Sequence, residues 1–462
     1  MATSGESGAG LLALTFGVEL ELAFGISRLK VIRRPHLEYL FPQNYQLDPM
    51  DQVDDHEKFD PTDHENRGLC QAATVLRREG VDLAIKINPK DDDDLFQRWS
   101  LTHEKANICP AADWEIESYT DHRVRRLWDL QFSGLELISP IMQAPDMKAK
   151  QVLEGGSFQE LEKVLKVIDF AQCHTDLPWM FLSKPQTSGF HVHVGLQPDE
   201  DWGPVDIPLE VLRHLAWIVV VFEDVVSLLH HPERRGFWMT KIYDHACSNR
   251  RAFLDINLRR VKTHLHTCDS GLVYDRYDAF NQIFGSRSHR ELRDIMSNEP
   301  DADNPAYRNT FVNFYNISTT RGHPEPIRTV EFRQHCGTTD PTEVKEWVYF
   351  VTSLMRTAER KANEPTPTLP ANDVSPSGLT SPQKLKYCDI LNSKEKRTLK
   401  ELFDLMELPV ERRRYWWSRA QEYQSPKYEE YWKYGTCHPV CVGHVTRDAE
   451  GWAEGEVIAQ PW

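Results

Sequence analysis

The stretch Leu11-Leu-Ala-Leu-Thr-Phe-Gly-Val-Glu-Leu-Glu-Leu-Ala-Phe24 decides how this chain is read. Phe16, Val18, Leu20 and Leu22 alternate with Gly17, Glu19, Glu21 and Ala23, and a period of two puts the two sets on opposite faces of a β-strand. One face is suited to a core. The other carries two carboxylates side by side, which are costly to bury without partners.

Three later stretches repeat that design. Glu136 lies alone in the apolar strand Leu135–Ile138. His191 and His193 share one face of Phe190–Leu196, with Phe190, Val192, Val194 and Leu196 behind them. Glu331, Arg333 and His335 share one face of Val330–His335, with Val330 and Phe332 behind. In one sheet these faces would bring together four carboxylates, two or three imidazoles and a guanidinium. Close carboxylates repel each other unless a cation neutralises them, and an oxygen-rich set with an occasional imidazole favours Mg²⁺ or Mn²⁺ over zinc. Taken singly, each element has a plainer reading. Glu-Leu-Glu is ordinarily a solvated face, His-x-His arises by chance among 19 His, and Glu-Phe-Arg can be a cross-strand ion pair. Their recurrence on four amphipathic strands is what points to a site.

Helices are expected between these strands. Phe158–Phe170 has helical spacing through Leu161, Val164, Leu165 and Ile168, and Leu209–Leu229 is a strongly apolar helix ended by His231-Pro232. Shorter helices fit Tyr274–Phe284, His289–Met296 and Ser393–Glu407, and Phe311–Ile317 reads as a strand. Asp340-Pro341-Thr342-Glu343 offers an N-cap, a proline at the first helical position and an acid three residues after the cap. The helix it opens buries Val344, Trp347, Val348, Val351, Leu354 and Met355.

The 462 residues allow one large domain or two to three smaller ones. The expected organisation is a disordered start at 1–10, a catalytic domain at 11–363, a Pro/Ser/Thr-rich linker at 364–382 and an accessory helical region at 383–462. Acidic stretches at 48–65 and Asp91–Asp94 read as solvated insertions. A net charge of −16 opposes binding to nucleic acid and to anionic membranes. No run is long and apolar enough to span a bilayer, and no basic residue precedes Leu11–Phe24 as in a signal peptide. With nine scattered Cys, a reducing cytoplasmic location is expected. Arg412–Arg419, where Arg flanks Tyr415, Trp416 and Trp417, could stack bases, but its better reading is a helix whose aromatics dock on the main domain. Cys437-His438-Pro-Val-Cys441 with His444 is too compact for a zinc finger and reads as an ordinary loop.

Four blocks now stand in order: Phe16-Gly-Val-Glu-Leu-Glu21, Gly134-Leu-Glu-Leu-Ile-Ser-Pro140, Ser188-Gly-Phe-His-Val-His-Val-Gly195, and Thr329-Val-Glu-Phe-Arg-Gln-His335 with Gly337-Thr338. In that order they resemble the amidoligases, a family of carboxylate–amine ligases similar to glutamine synthetase and glutamate–cysteine ligase. Smaller matches lie at Trp114-Glu-Ile-Glu-Ser118, at Phe222-Glu-Asp224 and from Arg308 to Asn316. The likeness runs from about Phe16 to Arg360.

The resemblance implies an α+β fold with a curved, mostly antiparallel sheet forming a funnel-shaped, glutamine synthetase-like active site. ATP would enter one end and the amine-accepting substrate the other, with divalent ions between. Glu19, Glu21, Glu136, His191 and Glu331 resemble the metal-binding positions, and His193 and Arg333 the groups that contact the phosphates or the acyl phosphate. Glu117 is the candidate substrate-side contact, although Glu117-Ser118 stands where the family commonly has Asp then Ser. The implied activity joins a small-molecule or peptide carboxylate to an amine at the expense of ATP, with Mg²⁺ or Mn²⁺. Cys336, between the last strand and Gly337-Thr338, reads as packing. Two rivals stand beside this reading. One is a zinc hydrolase using His191 and His193, with Thr263-His-Leu-His266 as a further supply of ligands. The other is a non-catalytic nucleotide- or peptide-binding module on the same fold.

Overall fold

A computed structural model describes residues 11–26, 64–86, 97–104, 130–145, 156–173, 179–183, 188–199, 203–231, 234, 248–253, 276–297, 310–318, 327–365, 386–387, 397–423, 425 and 427. The expectations for residues 1–10, most of the acidic stretch at 48–65, Asp91–Asp94, Glu117, Thr263–His266, most of the 364–382 linker and Cys437–His444 lie outside them.

The alternating stretch forms β1 (Leu14–Ile26), and its apolar set is fully withdrawn from solvent: Phe16, Val18, Leu20 and Leu22 are each at most 1% exposed. Because β1 is 13 residues long, each of its edges takes two shorter strands end to end. β4 (Gln131–Ile138) and β5 (Met142–Gln143) cover one edge. β7 (Phe190–Leu196) and β6 (Trp179–Leu182) cover the other. Beyond β4 lie β3 (Trp99–His103) and β2 (Leu83–Ile85), and beyond β7 lie β9 (Val330–Phe332) and β8 (Val312–Asn313). The order is β2-β3-β4-β1-β7-β9-β8. Only β2 and β3 run parallel; the other pairs are antiparallel. The result is a mixed α+β fold around an open, uncurled sheet.

Eight α-helices accompany the sheet among the described residues: α1 (His64–Arg78), α2 (Gly156–Cys173), α3 (Leu209–Ser227), α4 (Arg276–Gly285), α5 (His289–Met296), α6 (Pro341–Asn363), α7 (Leu399–Leu405) and α8 (Val410–Glu422). α6 starts as the sequence dictates, with the Asp340 carboxylate accepting from the Thr342 N–H at 2.8 Å and Pro341 in the first turn. It packs on α3 and β7 and so covers the apolar face of the sheet. Each Val, Leu or Phe buried there contributes roughly 1.5–3 kcal/mol.

Local hydrogen bonding moved several boundaries. His64 and Glu65, read as the end of an acidic loop, already belong to α1. α7 begins only at Leu399, because Thr398 and Glu401 form a reciprocal capping box. It ends where Glu407 turns left-handed and the Leu408 N–H reaches the Phe403 carbonyl. Phe311–Ile317 is not one strand: the Tyr315 N–H donates to Asn313 Oδ1 at 2.8 Å, turning the chain into a short 3-10 helix after two strand residues.

The Arg/Trp stretch is α8, and it docks. Trp416 and Trp417 are buried. Arg412 pairs with Glu346 and lies 4.5 Å above the Tyr349 ring, Arg413 pairs with Asp404, and Arg419 pairs with Glu343. No helix among the described residues is long and apolar enough to cross a membrane.

Candidate metal and phosphate site

Strand register assembles the site. Across β1 and β4, Glu21 stands opposite Glu136; across β1 and β7, Glu19 stands opposite His191; across β7 and β9, His193 stands opposite Glu331. Cross-strand partners share a face, so four strands contribute to one patch on the side of the sheet away from the core.

At its centre the Glu19 carboxylate lies between two imidazoles, with Oε2 3.2 Å from His191 Nδ1 and Oε1 2.9 Å from His193 Nε2. His191 Nε2 is 3.6 Å from Glu21 Oε1, and its Nδ1 is 3.6 Å from Glu331 Oε1. His193 Nδ1 lies 3.1 Å from the Thr329 hydroxyl, which leaves Nε2 facing the acids. Glu331 Oε1 pairs with Arg333, and Glu331 Oε2 accepts from Asn313 Nδ2 at 2.7 Å. Glu21 Oε2 accepts from the Gly189 N–H. A Cβ on Gly189 would collide with His191 Nε2, so the close approach of strand end and imidazole requires glycine there.

Among the described residues, the four carboxylates of Glu19, Glu21, Glu136 and Glu331 converge on one guanidinium, Arg333, and two imidazoles. Burial, followed by the charges of Glu19, Glu104 and Glu21, pushes the Glu136 carboxyl well above the usual range. Burial opposes ionisation of Glu19 as well, but the charge of His193 and the close approach of both imidazoles hold it well below its ordinary value. Glu331 is likewise held low against burial by Arg333 and His193. His193 is raised, because the Glu19 carboxylate outweighs the cost of burying its charge.

These residues fit a hard divalent cation. Glu19, Glu136 and His191 form one triplet, and Glu19, His193 and Glu331 another, each with its ligand atoms within 4.8 Å of one another. His193 Nε2 is buried 2.9 Å from Glu19 Oε1 yet off the line of a hydrogen bond, as befits a nitrogen and an oxygen aimed at a shared third atom. Carboxylates in excess over imidazoles select Mg²⁺ or Mn²⁺.

Seven of the nine residues singled out from the sequence therefore meet: Glu19, Glu21, Glu136, His191, His193, Glu331 and Arg333. Glu117 lies outside the described residues. His335, expected on the same face as Glu331, does not join them. Regular pairing of β9 stops at Phe332, and the chain beyond it carries the His335 ring in among Phe190, His230 and Trp347, with centroids 5.2–5.7 Å away. There His335, Cys336 and Glu343 form a third triplet within 4.8 Å. Its carboxylate is already occupied, with Oε2 accepting from Thr338 at 2.8 Å and Oε1 from Arg419. Burial pushes the Cys336 thiol up to about 12, so it holds its proton and packs.

Sequence reading missed Asn313 and Thr329, which orient Glu331 and His193, and the polar face of β3. Thr102 stands opposite Glu136 in register, and the Glu104 charge reaches Glu136. The signal was present in Trp99-Ser-Leu-Thr-His103, where Trp99 and Leu101 face the core and Ser100 and Thr102 alternate with them. Asn313 had no comparable signal, because its strand is two residues long. No protein-family model matches this chain, and no curated protein matches it significantly.

Proposed function

We propose that this chain is an ATP-dependent carboxylate–amine ligase of the amidoligase kind. Its strands would line a glutamine synthetase-like, funnel-shaped site with ATP at one end and the acceptor amine at the other. The observation that carries the reading is the register that sets Glu19, Glu21, Glu136, His191 and Glu331 beside Arg333 and His193 on one polar face. Acids in excess beside two basic groups match a metal-bound polyphosphate better than any uncharged ligand.

A carboxylate is a poor acyl donor because it would have to expel oxide. Transfer of the γ-phosphoryl group from ATP to one carboxylate oxygen gives an acyl phosphate and ADP. Attack by an amine on the acyl carbon then gives the amide, inorganic phosphate and a proton. The first step needs positioning and neutralisation of phosphate charge more than covalent help. Arg333 and the raised His193 would contact the transferred phosphoryl group and the acyl phosphate. Glu19, Glu21, Glu136, His191 and Glu331 would hold Mg²⁺ or Mn²⁺, which when bound supplies further charge neutralisation. Glu117 is proposed to contact the acceptor side, where a carboxylate can take the proton released by the amine.

The donor set weighs against the zinc hydrolase alternative. His191 and His193 each face carboxylates, and the four acids outnumber the imidazoles, which is the ligand chemistry of a harder ion. Hydroxylamine tests the proposal without knowledge of the amine. With Mg-ATP and a panel of amino-acid and peptide carboxylates, the ligase yields a hydroxamate in step with ADP, and Arg333→Ala abolishes both. ADP formation with no hydroxamate for any carboxylate would point to a nucleotide hydrolase. Zinc-dependent cleavage of an ester or amide in the absence of ATP would favour the hydrolase.

A further inference from the structure

Glu331 is held from behind by a clamp that reaches it through the shortest strand of the sheet. β8 has two residues, too few to keep an edge in place unaided. One side of it pairs with β9, which sets Asn313 opposite Glu331. On its other side, among the described residues, two side chains meet Val312: Asn249, and Thr310, whose hydroxyl donates to the Val312 carbonyl at 2.9 Å. Asn249 Nδ2 donates to the Val312 carbonyl at 2.8 Å, and the Val312 N–H donates to Asn249 Oδ1 at 3.0 Å. An amide side chain carries the same donor and acceptor as a peptide group, so Asn249 pairs with Val312 as a residue of a neighbouring strand would.

Asn249 is itself fixed. Its N–H donates to Glu223 Oε2 at 2.7 Å, Ser248 donates to Glu223 Oε1, and Arg250 Nε donates to the Val220 carbonyl at 2.7 Å. The clamp thus hangs from α3. At the other end, the Tyr315 N–H occupies Asn313 Oδ1, which forces Nδ2 to be the atom that faces Glu331. Glu331 Oε2 is thereby tied back at 2.7 Å. Oε1 is left as the oxygen presented to His191 at 3.6 Å, to His193 at 3.9 Å and to Arg333.

We propose that Asn313, locked by the Asn249 clamp, is a positioning residue that keeps one Glu331 oxygen turned toward the cation site. The inference rests on the cation reading given above. Without the Asn313 donor, both oxygens of Glu331 are free to take Arg333 in a fork, and the oxygen facing the imidazoles is lost. Partners that orient a metal ligand typically account for 10–100-fold in metal affinity.

The test is Mn²⁺ binding to the full chain, read by electron paramagnetic resonance so that no turnover is needed. Four proteins are compared: wild type, Asn313→Ala, Glu331→Gln and the double variant. Asn313→Ala is expected to weaken Mn²⁺ by about 10–100-fold. Placed on Glu331→Gln it is expected to add nothing, because it acts only through Glu331. Thermal unfolding is recorded in parallel. Should Asn313→Ala fail to fold, Asn249→Ala, which loosens the clamp away from the ligands, is expected to show the same non-additivity at smaller size. A variant less stable than wild type but with unchanged Mn²⁺ affinity overturns the inference and leaves the cation site standing. Additive losses on the Glu331→Gln background overturn it too. Failure of wild type to bind Mn²⁺ at millimolar concentration overturns the cation reading and this inference with it.

Discussion

Two clusters of the same residue types lie close together along one stretch of chain, and they are built in opposite ways. Around Glu331, carboxylates from β1, β4 and β9 meet two imidazoles and one guanidinium, and Glu136 is pushed well above its ordinary range by burial and by its acidic neighbours. A few residues on, around His335 and Cys336, a single carboxylate meets Arg419 and a hydroxyl, and both its oxygens are satisfied. Burial pushes His335 down, so it is held neutral. Both clusters offer three ligand atoms within 4.8 Å of one another. The difference lies in charge balance. The second cluster is complete, and a cation added there would compete with a guanidinium. Among the described residues the first sets four carboxylates against one guanidinium, and on the proposed reading a bound cation completes it.

Removing the balancing group of the complete cluster should have the largest effect on stability. Arg419→Ala leaves Glu343 buried beside a neutral imidazole and is expected to cost about 3–5 kcal/mol in chemical denaturation. Its Mn²⁺ affinity should match wild type. A loss of Mn²⁺ binding would show that the two clusters are not independent.

A third buried acid, Glu223 at the root of the clamp, provides a pH signature. Burial is the largest influence on it, outweighing Arg250 and the hydrogen bond from Ser248, and raises it to about 7 from 4.5. A carboxyl raised on folding contributes stability that is fully present below the unfolded value and is lost as pH rises through the folded one. Stability should therefore fall between about pH 4.5 and pH 7, by on the order of 3 kcal/mol. Glu223→Gln should flatten that part of the curve of unfolding free energy against pH.

The smallest effect has the opposite sign. Glu136→Gln relieves repulsion in the metal-free protein and should raise its stability by about 1 kcal/mol, while weakening Mn²⁺ by about tenfold because one ligand charge is gone. A variant that loses stability without metal would mean that the acids of the first cluster are already compensated.

The sheet was legible in the sequence because its strands report their own faces. Alternation in Phe16–Leu22 and Phe190–Leu196 fixes both the core side and the polar side, and a period of two cannot slip without exposing Val18 or Val192. The open, uncurled arrangement was not legible, since the pairing order follows from edges that no local pattern encodes. His335 illustrates the limit. It has the right spacing from Glu331 and Arg333, but β9 loses regular pairing after Phe332, and the aromatic cluster around Trp347 takes the ring instead. Asn313 and Asn249 were invisible for another reason. They act through side-chain hydrogen bonds to residues 18 and 63 positions away, which spacing cannot reveal.

The claim that the first cluster binds a metal–nucleotide complex is tested most directly by thermal unfolding in four conditions: no addition, Mg²⁺, ATP, and both. Wild type is compared with a Glu19→Gln/Glu331→Gln variant. Ligand at about 100 times its dissociation constant stabilises by roughly 2.7 kcal/mol, a readily resolved shift. The account predicts stabilisation that needs Mg²⁺ and ATP together and that disappears in the variant. An equal shift in the variant, or no shift in wild type at millimolar Mg-ATP, would contradict it.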